Sequence, residues 1–202
     1  MKRAFWIIEA VAVVAAVVLA GCPASKQAAE STAPAMTPSA ASAAKASAEG
    51  QLPKGVKKLA GDQKPDFTAK GVDGKDVKPA DYAGKILVID FWATWCSACC
   101  EKLLEYQPMA EKYKDKGVQF LVISRDNDPA TARGWAKEKN VTIPMAMFND
   151  QIQSVFFPGQ EAITIPQARI LDATGAWRYS MTSDAHVSDV EDAINALLAE
   201  KK

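Results

Sequence analysis

Ten consecutive residues, Phe91-Trp92-Ala93-Thr94-Trp95-Cys96-Ser97-Ala98-Cys99-Cys100, constrain this chain more than any other stretch. A strand-like run, Lys85-Ile86-Leu87-Val88-Ile89-Asp90, leads into them, and a helical pattern follows. Two cysteines two residues apart at a strand-to-helix junction are suited to dithiol–disulfide exchange. Cys96 falls at the helix N-terminus, where unpaired N–H groups and the helix dipole stabilise a thiolate. Cys99 is close enough to resolve a mixed disulfide formed on Cys96. From Cys99, the residues Leu103, Tyr106, Ala110 and Tyr113 recur at helical spacing and form one apolar face, so Cys99 is expected to be shielded and Cys96 accessible. Trp95 offers a flat apolar contact beside the nucleophile. Cys100 adds a third thiol on the Cys96 side of the helix, one turn before Leu104. A Cys99–Cys100 bridge would demand a strained geometry, so Cys100 is read as a bystander or a secondary resolver.

The order of the other elements predicts an α/β chain. Ile86 to Trp92 is almost continuously apolar, as expected of a strand covered on both faces. Cys96 to Tyr113 reads as a helix, Val118 to Ser124 as a second buried strand, and Pro129 to Asn140 as a helix with proline in its first turn. Asp73-Gly74 marks a hairpin between Thr68 and Val77, and Asp172-Ala173-Thr174-Gly175 marks another between Gln167–Leu171 and Ala176–Ser180. A last helix runs from about Asp184 to Ala199, with Val187, Val190, Ile194, Leu197 and Leu198 on one face. Alternating strands and helices followed by a hairpin and a terminal helix give a central mixed β-sheet flanked by helices.

Composition removes several function classes. Lys plus Arg and Asp plus Glu both number 24, and no basic cluster is interleaved with aromatics, so nucleic acid is not an expected partner. Apart from Cys22, the cysteines are contiguous and cannot staple distant loops. A zinc site with this spacing would need a second ligand pair, and the chain has one His and no second cysteine pair. No metal and no cofactor are expected. Lys2 and Arg3 precede an apolar run from Phe5 to Ala20 broken only by Glu9, which fits an export signal and is short for a membrane span. Between Pro23 and Gly50, eleven of 28 residues are Ala, five Ser and three Pro, with no aromatic; this composition marks a linker.

These motifs together resemble the thioredoxin superfamily, and most of all its extracytoplasmic TlpA-type branch of membrane-tethered thiol–disulfide oxidoreductases. The resemblance covers roughly Ala60 to Leu198. It rests on Phe91 to Cys96 with Cys99 at the required spacing, and on the later Ile165-Pro166. It implies a thioredoxin-like fold with a TlpA-type insertion, which the segment Met145 to Ala162 resembles. It implies a catalytic Cys96–Cys99 pair and a cis peptide bond at Pro166 facing it, with Ile165 pairing to an extended substrate chain. Pro144 is the competing proline, but only Pro166 continues into a hairpin strand. At Asp90 it implies a buried acid that moves the proton of the resolving thiol. The alternation of a fully buried strand does not fix the face of Asp90, so a solvated edge position also fits. At Cys100 relatives carry a basic or polar residue.

Leu19-Ala20-Gly21-Cys22 resembles a bacterial lipoprotein signal. The expected organisation is a signal peptide over residues 1–21, a lipidated Cys22 with a flexible linker over 22–50, and a thioredoxin-like domain over 51–202. An uncleaved anchor or a plain secretory signal would also place the folded part outside the cytoplasm. Pro23 stands where an Asp commonly retains such proteins at the inner membrane, so an outer-membrane anchor facing the periplasm is favoured. The implied partners are oxidised proteins as substrates, cytochrome c maturation among the settings, and a transmembrane thiol reductase as electron donor. A peroxidase of the same fold is the second expectation, weakened by Ala93 and Phe91-Trp92 where the peroxiredoxin pattern places Thr or Ser and Pro. A redox-sensing or binding module is the third.

Overall fold

A computed structural model describes residues 52–200. The export signal, Cys22 and the linker lie outside the described residues. A six-stranded sheet forms the frame, in the order β1-β8-β7-β4-β5-β6. Its strands are β1 (Val56–Lys58), β4 (Ile86–Trp92), β5 (Val118–Ser124), β6 (Met145–Met147), β7 (Gln167–Leu171) and β8 (Trp177–Met181), and a separate hairpin joins β2 (Ala69–Lys70) to β3 (Asp76–Val77). β4, β5 and β6 run parallel, while β7 is antiparallel to both β4 and β8, giving the expected mixed sheet. The helices are α1 (Ser97–Lys114), α2 (Pro129–Glu138), α3 (Asp150–Phe156) and α4 (Val187–Glu200).

All seven residues of β4 are buried, because neighbours pair with both edges and helices or loops cover both faces. Burying an aliphatic side chain fully is worth about 1.5–3 kcal/mol. Ile86, Leu87, Val88 and Ile89, each nearly inaccessible, therefore hold firmly the strand whose C-terminal end feeds the Cys-x-x-Cys segment. Residues at even positions of β4 pack with Cys99, Leu103 and Tyr106 of α1, Ala132 and Ala136 of α2 and Ile194 and Leu197 of α4. Odd positions pack with Phe67, with Ile152 and Phe156 of α3, and with Phe157. The chain turns out of α1 through Gly117 at φ 78° and out of α2 through Asn140 at φ 55°.

Three elements depart from the sequence reading. β1 pairs antiparallel with β8 at the sheet edge; three residues beside Gly55 carry too little alternation to announce a strand. After β6, the Met145 to Ala162 segment holds α3, an unanticipated seven-residue helix capped by the Asn149 side chain, which accepts the Ile152 N–H at 3.0 Å. The last helix begins at Val187, because the backbone N–H of His186 bonds the Asp189 carboxylate and starts the helix there. Among the described residues no helix is long and apolar enough to cross a membrane.

Candidate active site

Cys96 and Cys99 are joined in a disulfide at the first turn of α1. Cys96 is the N-cap residue, and its sulfur accepts the Cys99 N–H at 3.3 Å. An N-cap acceptor satisfies one of the orphan donors of a helix start, and the same donor would stabilise negative charge on that sulfur in the reduced protein. Cys96 is half-buried, Cys99 is inaccessible and packed with Leu103 and Tyr106, and Trp95 is 66% exposed. The asymmetry expected from helix spacing is present: an approachable first sulfur, a shielded second one and an aromatic platform beside them.

Ile165-Pro166 is a cis peptide bond, and the Cys96 sulfur lies 4.0 Å from the Ile165 carbonyl oxygen. The sequence reading had to choose between two prolines; Pro144 instead precedes β6 at the far edge of the sheet. The segment before Pro166 is gripped from two sides. Arg125 donates to the Ile163 carbonyl at 2.6 Å, and the Gln167 amide donates to the Thr164 carbonyl at 2.7 Å.

Asp90 is 1% exposed and shares its face of β4 with Val88 and Trp92, so the buried position holds and the solvated edge does not. Neither of its oxygens has a hydrogen-bond partner within the protein. Burial disfavours the carboxylate and raises its pKa to about 8, against the opposing pull of Lys102 and Arg169. Lys102 is itself buried on α1, donates to the Ala185 carbonyl at 2.9 Å, and has its pKa lowered by burial. A lysine on the covered face of a helix was not anticipated. Its position three residues after Cys99, on the face that carries Leu103 and Tyr106, was the available signal.

Asp126 was also missed. In a four-residue loop of charged and polar residues, Arg125 to Asp128, Asp126 is only 9% exposed and clamps the active-site loop. Its carboxylate accepts from the Thr94 hydroxyl at 2.7 Å, from the Thr94 N–H at 3.2 Å and from the Ser124 hydroxyl at 2.8 Å. Hydrogen bonds to a charged group are each worth about 1.5–3 kcal/mol. They fix the backbone immediately before Trp95 and Cys96. Asp128, in the same loop, is exposed and caps α2 by accepting the Ala130 N–H at 2.9 Å.

Cys100 is partly buried, with its sulfur 3.7 Å from the Ala93 carbonyl and 3.7 Å from the Thr94 carbonyl. Burial and the neighbouring Asp126 carboxylate push its thiol pKa up. A thiol held protonated and turned onto loop carbonyls is a poor nucleophile at neutral pH. Cys100→Ser should therefore leave disulfide-exchange turnover within about threefold of the parent, a change on the scale of a weak hydrogen bond. A Cys100→Ser enzyme that stalls would assign resolution to Cys100 instead.

Fold and site together define a thioredoxin-like protein carrying a Cys-x-x-Cys disulfide. A model of the AhpC/TSA family matches residues 60–179, and the chain belongs to that family. The thiol-disulfide oxidoreductase ResA of Bacillus thuringiensis subsp. konkukian (strain 97-27) is 27% identical over 99 residues, which are 49% of this chain and 57% of that relative. The namesake from Geobacillus kaustophilus (strain HTA426) is 23% identical over 138 residues, 68% of this chain and 77% of its own. The chain thus spans little more than half the length of the first of these. A thiol:disulfide interchange protein of the thioredoxin family from Chlorobium tepidum TLS superposes with a TM-score of 0.60 at 21% identity, covering 66% of this chain and 94% of its own. That likeness supports the fold.

Proposed function

We propose that this protein is a membrane-tethered, extracytoplasmic thiol–disulfide oxidoreductase that reduces disulfides in other proteins. One observation carries the proposal: an approachable Cys96 sulfur at a helix N-terminus, bridged to an inaccessible Cys99 and facing a backbone carbonyl at Ile165. In the reduced protein the Cys96 thiolate attacks a substrate disulfide, forms a bond to one substrate sulfur and releases the other as a thiolate. The substrate backbone lies along Ile165 and against Trp95. Asp90 takes the proton of Cys99, whose thiolate then attacks the Cys96 sulfur and expels the second substrate thiolate, which takes up that proton from Asp90. Two electrons have passed to the substrate, and the Cys96–Cys99 disulfide remains. A membrane thiol reductase then returns two electrons and two protons. Ser97-Ala98 between the cysteines supplies no His to stabilise the leaving thiolate, which favours the reducing direction. The tether rests on the Leu19 to Cys22 run and the Ala- and Ser-rich linker, with a periplasmic face and an outer-membrane anchor favoured by Pro23.

The direct test uses the full-length protein with a thiol donor. Insulin disulfides should be reduced many times faster than by the donor alone, with no matching turnover of peroxide. A redox potential near −270 mV, like that of thioredoxin, is the expected value, and one near −120 mV would reverse the direction of flow. Intact mass should show an acylated N-terminal Cys22; a Met1 terminus or an unlipidated chain rejects the tether.

A further inference from the structure

Arg169 is an unusual residue for the interior of a sheet. It is 5% exposed and has no carboxylate among its hydrogen-bond partners. Its guanidinium carbon lies 4.9 Å from the ring centre of Phe157, 5.5 Å from that of Trp177 and 5.7 Å from that of Phe91. Three aromatic faces around a buried cation offset part of its desolvation cost. Both terminal nitrogens of the guanidinium are committed, one donating to the Ala168 carbonyl at 2.9 Å and the other to the Gln167 side-chain oxygen at 2.8 Å, while the buried Nε has no partner within the protein. The Gln167 amide nitrogen in turn donates to the Thr164 carbonyl and, at 3.3 Å, to the Thr164 hydroxyl.

We propose that Arg169 is a positioning residue of the redox site, holding the Thr164–Pro166 segment against Cys96 through Gln167. A glutamine amide can present either end to a neighbour. A guanidinium has donors only and stays charged, so it accepts no ambiguity: the Gln167 oxygen must face Arg169 and the nitrogen must face Thr164. Lysine could not replace it, since a point charge lacks the planar fork that reaches Gln167 and Ala168 together from among the three rings. The Met145 to Ala162 insertion has a part in this device. It supplies Phe157 under Arg169, and it supplies Phe148, whose ring centre lies 5.2 Å from the guanidinium of Arg125, the residue that holds Ile163. Both arginines that grip residues 163–164 are thus seated on rings of the insertion.

The functional arm of the test rests on the disulfide-exchange proposal; the structural arm does not. Hydrogen exchange in a peptide covering residues 161–168 should accelerate about tenfold in Gln167→Leu and in Arg169→Met, the effect of losing one such bond. Exchange in β4 should be unchanged. KM for a protein disulfide should rise about tenfold in both, while in Gln167→Leu, which keeps the Arg169 charge near Asp90, the rate with a small aromatic disulfide stays within about twofold, because only the long substrate uses the Ile165 backbone. The double variant should be no worse than either single one, since both remove the same connection. Gln167→Leu leaves the caged arginine in place, so it reports even where Arg169→Met fails to fold. Unchanged exchange in Gln167→Leu, multiplying effects on KM, or equal losses on both substrates in Gln167→Leu would overturn the inference. A parent protein that reduces no protein disulfide overturns the proposed function, and the exchange arm still decides the role of Arg169.

Discussion

Replacing Cys99 with serine should turn the protein into a trap that accumulates stable mixed disulfides with its substrates, whereas replacing Cys96 should abolish both turnover and trapping. The loss on Cys96→Ser should exceed about 10³-fold, the scale on which removal of a nucleophile registers. The two outcomes differ because the structure gives the two sulfurs different surroundings. Cys96 is approachable and already accepts an N–H of the helix start. Cys99 is inaccessible, walled by Leu103, Tyr106 and the even face of β4, so no external disulfide reaches it. It does reach Cys96, to which it is bonded. Without Cys99, the adduct on Cys96 has, among the described residues, only the Cys100 thiol nearby, and that thiol is held protonated and directed at the Ala93 and Thr94 carbonyls. Non-reducing gels and mass spectrometry of Cys99→Ser after exposure to an oxidised protein provide the measurement. Adducts on Cys96→Ser, or rapid release from Cys99→Ser, would place the nucleophile or the resolver elsewhere.

Much of this site was legible because its chemistry is local. A strand that ends in Cys-x-x-Cys and a helix with apolar residues every three or four positions fix the exposure of both cysteines without reference to the rest of the chain. The face of Asp90 was not legible, because a strand buried on both sides has no alternation to read; packing with α1 and α4 decides it. Asp126 and Arg169 were illegible for a different reason. Each is a charged residue whose burial depends on partners distant in sequence: Thr94 lies 32 residues from Asp126, and Arg169 needs Phe91 and Phe157. Local patterns assign such residues to solvent by default. β1 is invisible for a similar reason, since a three-residue strand is defined by the edge of β8 that receives it. Long-range polar clamps hold the loops of this site, and only the folded chain brings their partners together.

Asp90→Asn should slow turnover by roughly 100-fold at neutral pH, the usual contribution of a positioned acid or base, while making the folded protein more stable. The opposite signs follow from one cause. In the folded protein the Asp90 carboxyl has a pKa of about 8, against an ordinary value of 3.8. Burial without hydrogen-bond partners is the main cause, and Lys102 and Arg169 offset it only in part. The folded state therefore binds this proton more tightly than the unfolded chain does. Stability contributed by the protonated group is fully present below about pH 4 and is lost progressively as pH rises to about 8. Each pKa unit of difference corresponds to about 1.4 kcal/mol, so this single group sets a steep slope across the neutral range. Asparagine is neutral at every pH and removes the slope. Urea titrations at pH 5 and pH 8 should show the parent losing stability between them and Asp90→Asn losing far less. In the rate profile the parent should gain activity as pH rises towards 8, where Asp90 becomes a carboxylate able to take the Cys99 proton, and the variant should lack that limb. The two measurements check each other. A variant that is slower and equally pH-sensitive in stability would mean that Asp90 is exposed to solvent in the working protein. One that is more stable at pH 8 and turns over as fast as the parent would mean that the buried acid takes no part in deprotonating Cys99.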